Sequence, residues 1–150
     1  MSNKGRTMEG RKPPSTVRGV MSQPVVTAKP DDSIREAAEL MSRKGVGSIV
    51  VVHKGKPIGI VTERDMLMKV VAKGIDPSQI KVEEVMSKPL TIIKDDMPII
   101  EAIRTMQKKK IRRLLITESE ALVGIVTQRD LLRALAFHVI ISFRPLLEMG

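Results

Sequence analysis

The chain overlays itself when it is shifted by 65 positions. The register holds without a gap from Val20 to Met68, and 18 of those 49 positions are identical. Val20-Met21-Ser22-Gln23-Pro24 returns as Val85-Met86-Ser87-Lys88-Pro89. Gly59-Ile60-Val61-Thr62-Glu63-Arg64-Asp65 returns as Gly124-Ile125-Val126-Thr127-Gln128-Arg129-Asp130. An internal repeat of this length marks a supersecondary unit that buries its apolar face only by stacking on a copy of itself. One unit of about 50–60 residues buries too little surface to be secure alone. Two units packed sheet to sheet are therefore expected to share a core, with a pseudo-twofold axis and a cleft along it.

Each unit reads as β-α-β-β-α, an α/β (or α+β) arrangement. In the first copy Val25–Thr27 is a short strand stopped by Pro30. Ser33-x-x-Glu36 has the form of a capping box, and Ile34, Ala37, Ala38 and Met41 follow at helical spacing. Gly45 suits the residue just past that helix. The β-branched run Ser48–His53, the turn Lys54-Gly55-Lys56 and the returning run Pro57–Val61 signal a hairpin. Thr62 opens a helix that runs to about Lys73, where Gly74 and Pro77 end it. The second copy supplies strands at Leu90–Ile92, Leu114–Thr117 and Leu122–Val126 and helices at Ile99–Lys109 and from Arg129, with Asp96 and Pro98 starting its first helix. The chain divides into a basic, disordered tail (1–16), repeat one (17–74), a linker (75–82), repeat two (83–137) and a C-terminal extension (138–150). Ala134–Phe143 continues the last helix and is nearly apolar, so it needs burial, with a dimer contact the favoured cover.

Composition narrows the function. No cysteine is present, which removes disulfides, thiol catalysis and Cys-ligated metal. His53 and His138 lack partners at i+3 or i+4, so no metal site is expected. Asp31-Asp32 and Asp95-Asp96 precede helices, where the dipole favours acids. No nucleophile–base set, Walker loop or glycine-rich dinucleotide fingerprint occurs, so no enzyme activity is expected. The ten methionines read mostly as core filler. The N-terminus has no apolar stretch of a secretory signal and no run reaches the roughly 20 residues of a membrane span. A cytoplasmic protein with no membrane role is the expectation.

The net charge is +9. Its cations cluster in the tail (Lys4, Arg6, Arg11, Lys12, Arg18) and at Lys108, Lys109, Lys110, Arg112 and Arg113. Such patches favour phosphates. One reading is a nucleic-acid-binding protein that uses the tail and Lys108–Arg113. With only Phe137 and Phe143 as aromatics, it lacks platforms for stacking single-stranded bases.

The repeated Gly-Ile-Val-Thr-x-Arg-Asp sits at a strand-to-helix junction in each copy. A glycine there allows close approach to the backbone. A threonine hydroxyl can donate to phosphate, an arginine pairs with phosphate bidentately, and an aspartate can accept from a ribose diol. Thr62-x-x-Asp65 and Thr127-x-x-Asp130 equally have the form of helix caps without any ligand. Both readings stand at this point.

These two heptapeptides, with the paired Val-Met-Ser-x-Pro openings, resemble tandem CBS (cystathionine-β-synthase-type) domains, the Bateman module, over about residues 17–137. The resemblance implies a regulatory module binding adenosine nucleotides (AMP first, ADP or ATP) or, alternatively, S-adenosylmethionine, in up to two sites in the central cleft. It implies Asp65 and Asp130 on ribose hydroxyls, with Thr62 and Thr127, and Arg64 and Arg129, toward phosphate. It implies adenine beside Thr27 and Val46-Gly47-Ser48 and beside Ile92 and Ile111-Arg112-Arg113, with Arg112 or Arg113 reaching a phosphate. Because Gly47 and Ser48 stand opposite Arg112 and Arg113, the two sites are expected to differ in charge and affinity. A homodimer and a protein partner that receives the signal are the further implications.

Overall fold

The computed structural model describes residues 13–88 and 90–148. A 3-10 turn at Val17–Gly19 precedes β1 (Thr27–Ala28), α1 (Ile34–Lys44), β2 (Ser48–His53), β3 (Lys56–Thr62) and α2 (Glu63–Met66), which widens into a π turn at Leu67–Val71. The second half repeats this with α3 (Val82–Val85), β4 (Ile92–Lys94), α4 (Ile99–Lys109), β5 (Arg113–Glu118), β6 (Ala121–Thr127) and α5 (Gln128–Leu147). The strands form two three-stranded sheets, β1-β2-β3 and β4-β5-β6, each with one parallel and one antiparallel pairing.

Local chemistry accounts for most of these elements. The Ser33 hydroxyl accepts the Glu36 N–H at 3.1 Å and starts α1, and Gly45 ends it at φ 65°. Both hairpins turn through two residues of positive φ, Lys54-Gly55 and Ser119-Glu120. That geometry matches the right-handed strand twist. The second turn uses no glycine, and β3, β5 and β6 each extend one residue beyond the sequence-based limits at both ends. The first strands lie further along than expected, at Thr27–Ala28 and Ile92–Lys94.

Each sheet has two dissimilar faces. Ile49, Val51 and Val61 face α1 in one core, and Leu114, Ile116 and Val126 face α4 in the other. Strand alternation puts Val50 and Ile60, and Leu115 and Ile125, on the opposite faces, which look into the space between the repeats.

The expected shared core is therefore corrected to two cores, each closed by the opening segment of the other repeat. Val82, Val85 and Met86 pack into the core of repeat one, and Val17 and Met21 pack into that of repeat two. The backbone follows the same exchange. Ser22 N–H donates to Ile125 O at 2.9 Å and Ser87 N–H to Ile60 O at 2.8 Å. Val17 N–H donates to Met97 O at 2.9 Å and Val82 N–H to Asp32 O at 2.8 Å. A shift of 65 turns each bond of a pair into the other, which is the pseudo-twofold axis in atomic form.

This exchange reassigns the motif glycines. A Cβ on Gly59 would stand 2.7 Å from Met86 Cγ, and one on Gly124 would stand 2.8 Å from Met21 Cγ. The glycines make room for the other repeat's methionine, not for a ligand. Two boundaries also shift. Val82, assigned to the linker, is fully buried. Of the tail, Pro14–Thr16 are held in place: Ile99 N–H donates to Ser15 O, and His138 Nε2 meets Pro14 O at 2.7 Å. Residues 1–12 lie outside the described residues.

Overpacking a filled core costs about 1–3 kcal/mol, so Gly59→Val and Gly124→Val are each expected to lose that much in urea denaturation. Met86→Ala should recover part of the first loss and Met21→Ala part of the second. The mismatched pairs should only add their costs. Equal recovery by either methionine would contradict the exchange.

Candidate functional site

The strand-to-helix motifs form true capping boxes in both copies. Thr62 Oγ1 accepts Asp65 N–H at 3.1 Å while Asp65 Oδ2 accepts Thr62 N–H at 3.0 Å. The corresponding distances for Thr127 and Asp130 are 3.2 and 2.9 Å. Capping is thus one role of these residues. It uses one carboxylate oxygen of each aspartate and leaves the rest of the carboxylate to other partners.

The space between the sheets holds three adjoining cavities. One, of about 630 Å³, is walled by Ile60, Leu90, Thr91, Ile111 and Leu115 and reached by Thr62, Ser87, Lys88, Lys109, Arg112 and Arg113. A second, of about 330 Å³, is walled by Val25, Val26, Val46, Val50 and Ile125, with Gly47, Ser48, Thr127, Arg129 and Asp130 at its polar end. The third, about 660 Å³, lies between them over Thr62, Arg64, Lys110, Arg112, Arg113, Thr127 and Arg129, with Glu63 as its one acid. It shares Thr62, Arg112 and Arg113 with the first cavity and Thr127 and Arg129 with the second. An apolar slot at each end and a cationic middle make one continuous cleft, whose dimensions suit drug-sized ligands of about 300–1,000 Å³.

The two end cavities are built crosswise. Walls from repeat one meet Thr127, Arg129 and Asp130 of repeat two, and walls from repeat two meet Thr62 of repeat one. Within each repeat a main-chain bond ties the motif's helix start to the segment that enters the second strand: Glu63 N–H donates to Gly47 O at 3.1 Å and Gln128 N–H to Arg112 O at 2.9 Å.

Most of the residues singled out from sequence converge here, including Val46, Gly47, Ser48, Ile111, Arg112 and Arg113. Asp65 is buried and lines none of the three cavities, and Thr27 and Ile92 do not line the cleft either. Their predecessors Val25-Val26 and Leu90-Thr91 do, because the first strands start later than expected. Thr27 instead borders a separate hollow of about 690 Å³ lined by three acids, Asp31, Asp32 and Glu83, and two lysines, Lys29 and Lys54. The run Lys108–Arg113 is divided: Lys108 is exposed at the end of α4 and lines none of these cavities, while Lys109, Lys110, Arg112 and Arg113 border the cleft. Arg113 Nε is buried and has no hydrogen-bond partner among the described residues. Sequence reading missed the outward strand residues Val50, Ile60, Leu115 and Ile125. Alternation about the core residues Ile49, Val61, Leu114 and Val126 identifies them.

The two aspartates differ sharply. Asp65 is buried, and its Oδ1 accepts Ser87 Oγ at 3.0 Å and faces Lys69 Nζ at 3.1 Å. Its Oδ2 accepts both Thr62 N–H and Thr62 Oγ1. Burial pushes its carboxyl pKa up, but Thr62 N–H, Lys69 and Ser87 together outweigh that and hold it below its ordinary value. Among the described residues, Asp130 receives one hydrogen bond, from Thr127 N–H, and has no salt bridge. Ala134 stands where repeat one has Lys69.

A carboxyl with a lowered folded pKa contributes stability that is complete above its unfolded pKa and disappears as pH falls through the folded one. Wild-type stability in urea should therefore hold above about 3.8, the ordinary value, and decline relative to Asp65→Asn as pH falls below it. A gap that stays constant to pH 2 would contradict this account.

Among the described residues no helix is long and apolar enough to cross a membrane, and no group of three or more His, Cys, Asp or Glu could hold a metal ion. Comparison with known proteins matches the CBS domain family model twice, at residues 17–72 and 82–137. Uncharacterized protein MK0525 of Methanopyrus kandleri is 39% identical over 120 residues, 79% of this chain and 61% of that protein, so the chain spans less than two thirds of that relative. CBS domain-containing protein YhcV of Bacillus subtilis is 40% identical over 117 residues, 78% of this chain and 83% of that protein. The crystal structure of the CBS domain pair of protein MJ0100, in complex with 5′-methylthioadenosine and S-adenosyl-L-methionine, superposes with a TM-score of 0.73 at 27% identity, covering 83% of this chain and 99% of that one. With the exchanged openings, the crossed cleft and both heptapeptides in place, the chain belongs to the CBS domain family and carries two such domains in tandem.

Proposed function

We propose that this CBS pair is a regulatory module that binds an adenosine nucleotide in the cleft and passes its presence to a protein partner. The observation that carries this reading is Asp130. Its carboxylate is desolvated on the cap side and bonded there once. The remainder borders a cavity whose far wall is the apolar slot of Val25, Val26, Val46 and Ile125. A ribose diol on Asp130 directs its base into that slot and its 5′ end toward Thr127 and Arg129. Beyond them the cationic middle of the cleft, with Arg64, Lys110, Arg112 and Arg113, is suited to phosphate.

The same charges discriminate between adenosine ligands. S-adenosylmethionine carries a sulfonium cation where a nucleotide carries phosphate. Placing it beside five guanidinium and ammonium groups is unfavourable, whereas AMP, ADP and ATP are favoured there. The module acts by binding. Its output rests on a difference in affinity between two states of the chain or of its complex, since a ligand biases an equilibrium only by that difference.

A second copy of the chain is the natural partner for the helices outside the cleft. Leu67, Val71 and Ile75 after β3 and Leu132, Leu135 and Ile140 on α5 are exposed, and Leu67/Leu132 and Ile75/Ile140 are equivalents under the shift of 65. Equivalent apolar patches on two sides of a pseudo-twofold axis suit a closed, two-fold homodimer. Sedimentation should show a dimer that Leu67→Arg combined with Leu132→Arg converts to monomer; a monomeric wild-type chain would exclude it.

Calorimetry with AMP, ADP, ATP and S-adenosylmethionine tests the nucleotide reading. Losing charge-assisted hydrogen bonds worth about 1.5–3 kcal/mol means that Asp130→Ala should weaken AMP about 10- to 100-fold. S-adenosylmethionine should bind more weakly than AMP, and that order should reverse when Arg112 and Arg129 are changed to Glu. Flat titrations with all four ligands would dismiss the proposal.

A further inference from the structure

Lys69 lies outside both heptapeptides and makes contacts that have no counterpart in the second repeat. Its ammonium group has three donors, and three acceptors surround it: Val85 O at 2.8 Å, Asp65 Oδ1 at 3.1 Å and Ser87 Oγ at 3.3 Å. The Ser87 hydroxyl in turn donates to Asp65 Oδ1. A carboxylate offers about four lone-pair sites. For Asp65 these meet Thr62 N–H, Thr62 Oγ1, Ser87 Oγ and Lys69 Nζ. Nothing is left for a ribose diol unless one of these partners is displaced.

The helix that carries Lys69 is locally altered as well. Leu67–Val71 is a π turn, in which Ala72 N–H donates to Leu67 O at 2.9 Å, and such turns are frequent at functional sites. Repeat two has a continuous α-helix there, and Ala134, at the position of Lys69, has no group to offer. Ser22, the counterpart of Ser87, borders the Asp130 cavity and makes no side-chain hydrogen bond to Asp130.

We propose that Lys69 is an internal latch that keeps the Asp65 half of the cleft closed to ribose, so that the chain binds one nucleotide through Asp130 although it carries two complete motifs. The latch joins the helix start of repeat one to the Val85–Ser87 segment entering repeat two, so opening it also loosens a contact between the repeats. Thr62 and Ser87, both bonded to Asp65, also line the cavity of about 630 Å³ that has Lys88, Lys109, Arg112 and Arg113 at its edge. Its charge suits a nucleoside di- or triphosphate better than a monophosphate.

This inference rests on the nucleotide reading above, and calorimetric stoichiometry separates the two. Wild type should bind one AMP per chain, with that site weakened about 10- to 100-fold in Asp130→Ala and the stoichiometry unchanged in Asp65→Asn. Lys69→Met and Lys69→Ala should each bind two nucleotides per chain, the added site preferring ATP to AMP and vanishing when Asp65→Asn is included. Two sites in wild type, or one site in both folded Lys69 variants, would overturn the latch while leaving the nucleotide reading intact. No binding of AMP or ATP by any variant would overturn both. If the Lys69 variants do not fold, carboxyl carbon NMR of the wild-type chain decides: saturating AMP should move the Asp130 signal and leave Asp65 in place, and movement of Asp65 overturns the latch.

Discussion

Two methionines seated on two glycines across the repeat boundary hold this molecule together. Met86 covers Gly59 and Met21 covers Gly124, and each is flanked by a valine fully or almost fully buried in the same foreign core, Val85 or Val17. Neither repeat can close its core from its own residues after the opening segment. The exchange therefore makes folding of one repeat conditional on the other, and it sets the distance between the sheets. Burying each valine is worth about 1.5–3 kcal/mol, a large part of the stability of a small domain. The strand faces left over, with Val50, Ile60, Leu115 and Ile125, become the walls of the cleft between the sheets.

A duplicated frame permits the two ends of that cleft to diverge at little structural cost. The cap bonds from Thr62 to Asp65 and from Thr127 to Asp130 are nearly superposable. The side chains around them are not. Lys69 faces Asp65 where Ala134 leaves Asp130 alone, and Arg112-Arg113 occupy the places of Gly47-Ser48. One end thus combines a satisfied acid with abundant positive charge, and the other an unsatisfied acid with little. Lys110 shows how far this divergence goes. It adopts φ 54° at the end of α4, the conformation that Gly45 adopts at the end of α1, and a lysine accepts that left-handed backbone at a cost glycine avoids. It also adds a cation to the middle of the cleft.

Much of this was legible in the chain itself, for stated reasons. The shift of 65 revealed the repeat because identical residues recur without a gap, and Ser33, Gly45 and the β-branched run after it marked α1 and the first hairpin by local chemistry alone. The second hairpin was less distinct because Ser119-Glu120 carry no turn signature. The first strands were placed too early because a two- or three-residue strand has no periodicity to read, and that error moved Thr27 and Ile92 onto the cleft wall in place of Val25-Val26 and Leu90-Thr91. The role of the motif glycines was out of reach for a different reason. The methionine that needs the space is 27 residues downstream of Gly59 but 103 upstream of Gly124, and no local rule joins them. Lys69 was invisible on the same ground: its importance lies in where Ser87 and Val85 arrive in space.

The crossed construction bears directly on how such a cleft can signal. A ligand confined to one repeat would stabilise that repeat and say nothing about its neighbour. Here each end cavity takes most of its walls from one repeat, and its motif threonine and one isoleucine from the other. On the nucleotide reading proposed above, a bound molecule would make its full set of contacts only in one relative placement of the repeats, and its affinity would fall as they shift. That is the differential affinity an equilibrium needs before a ligand can move it. The outer helices that follow the two motifs, with Leu67 and Leu132 exposed on them, begin at the same threonines that border the cleft. On the same proposed reading, a change in the placement of the repeats would reach the outer surface through these two helix starts, which the capping bonds of Thr62 and Thr127 hold.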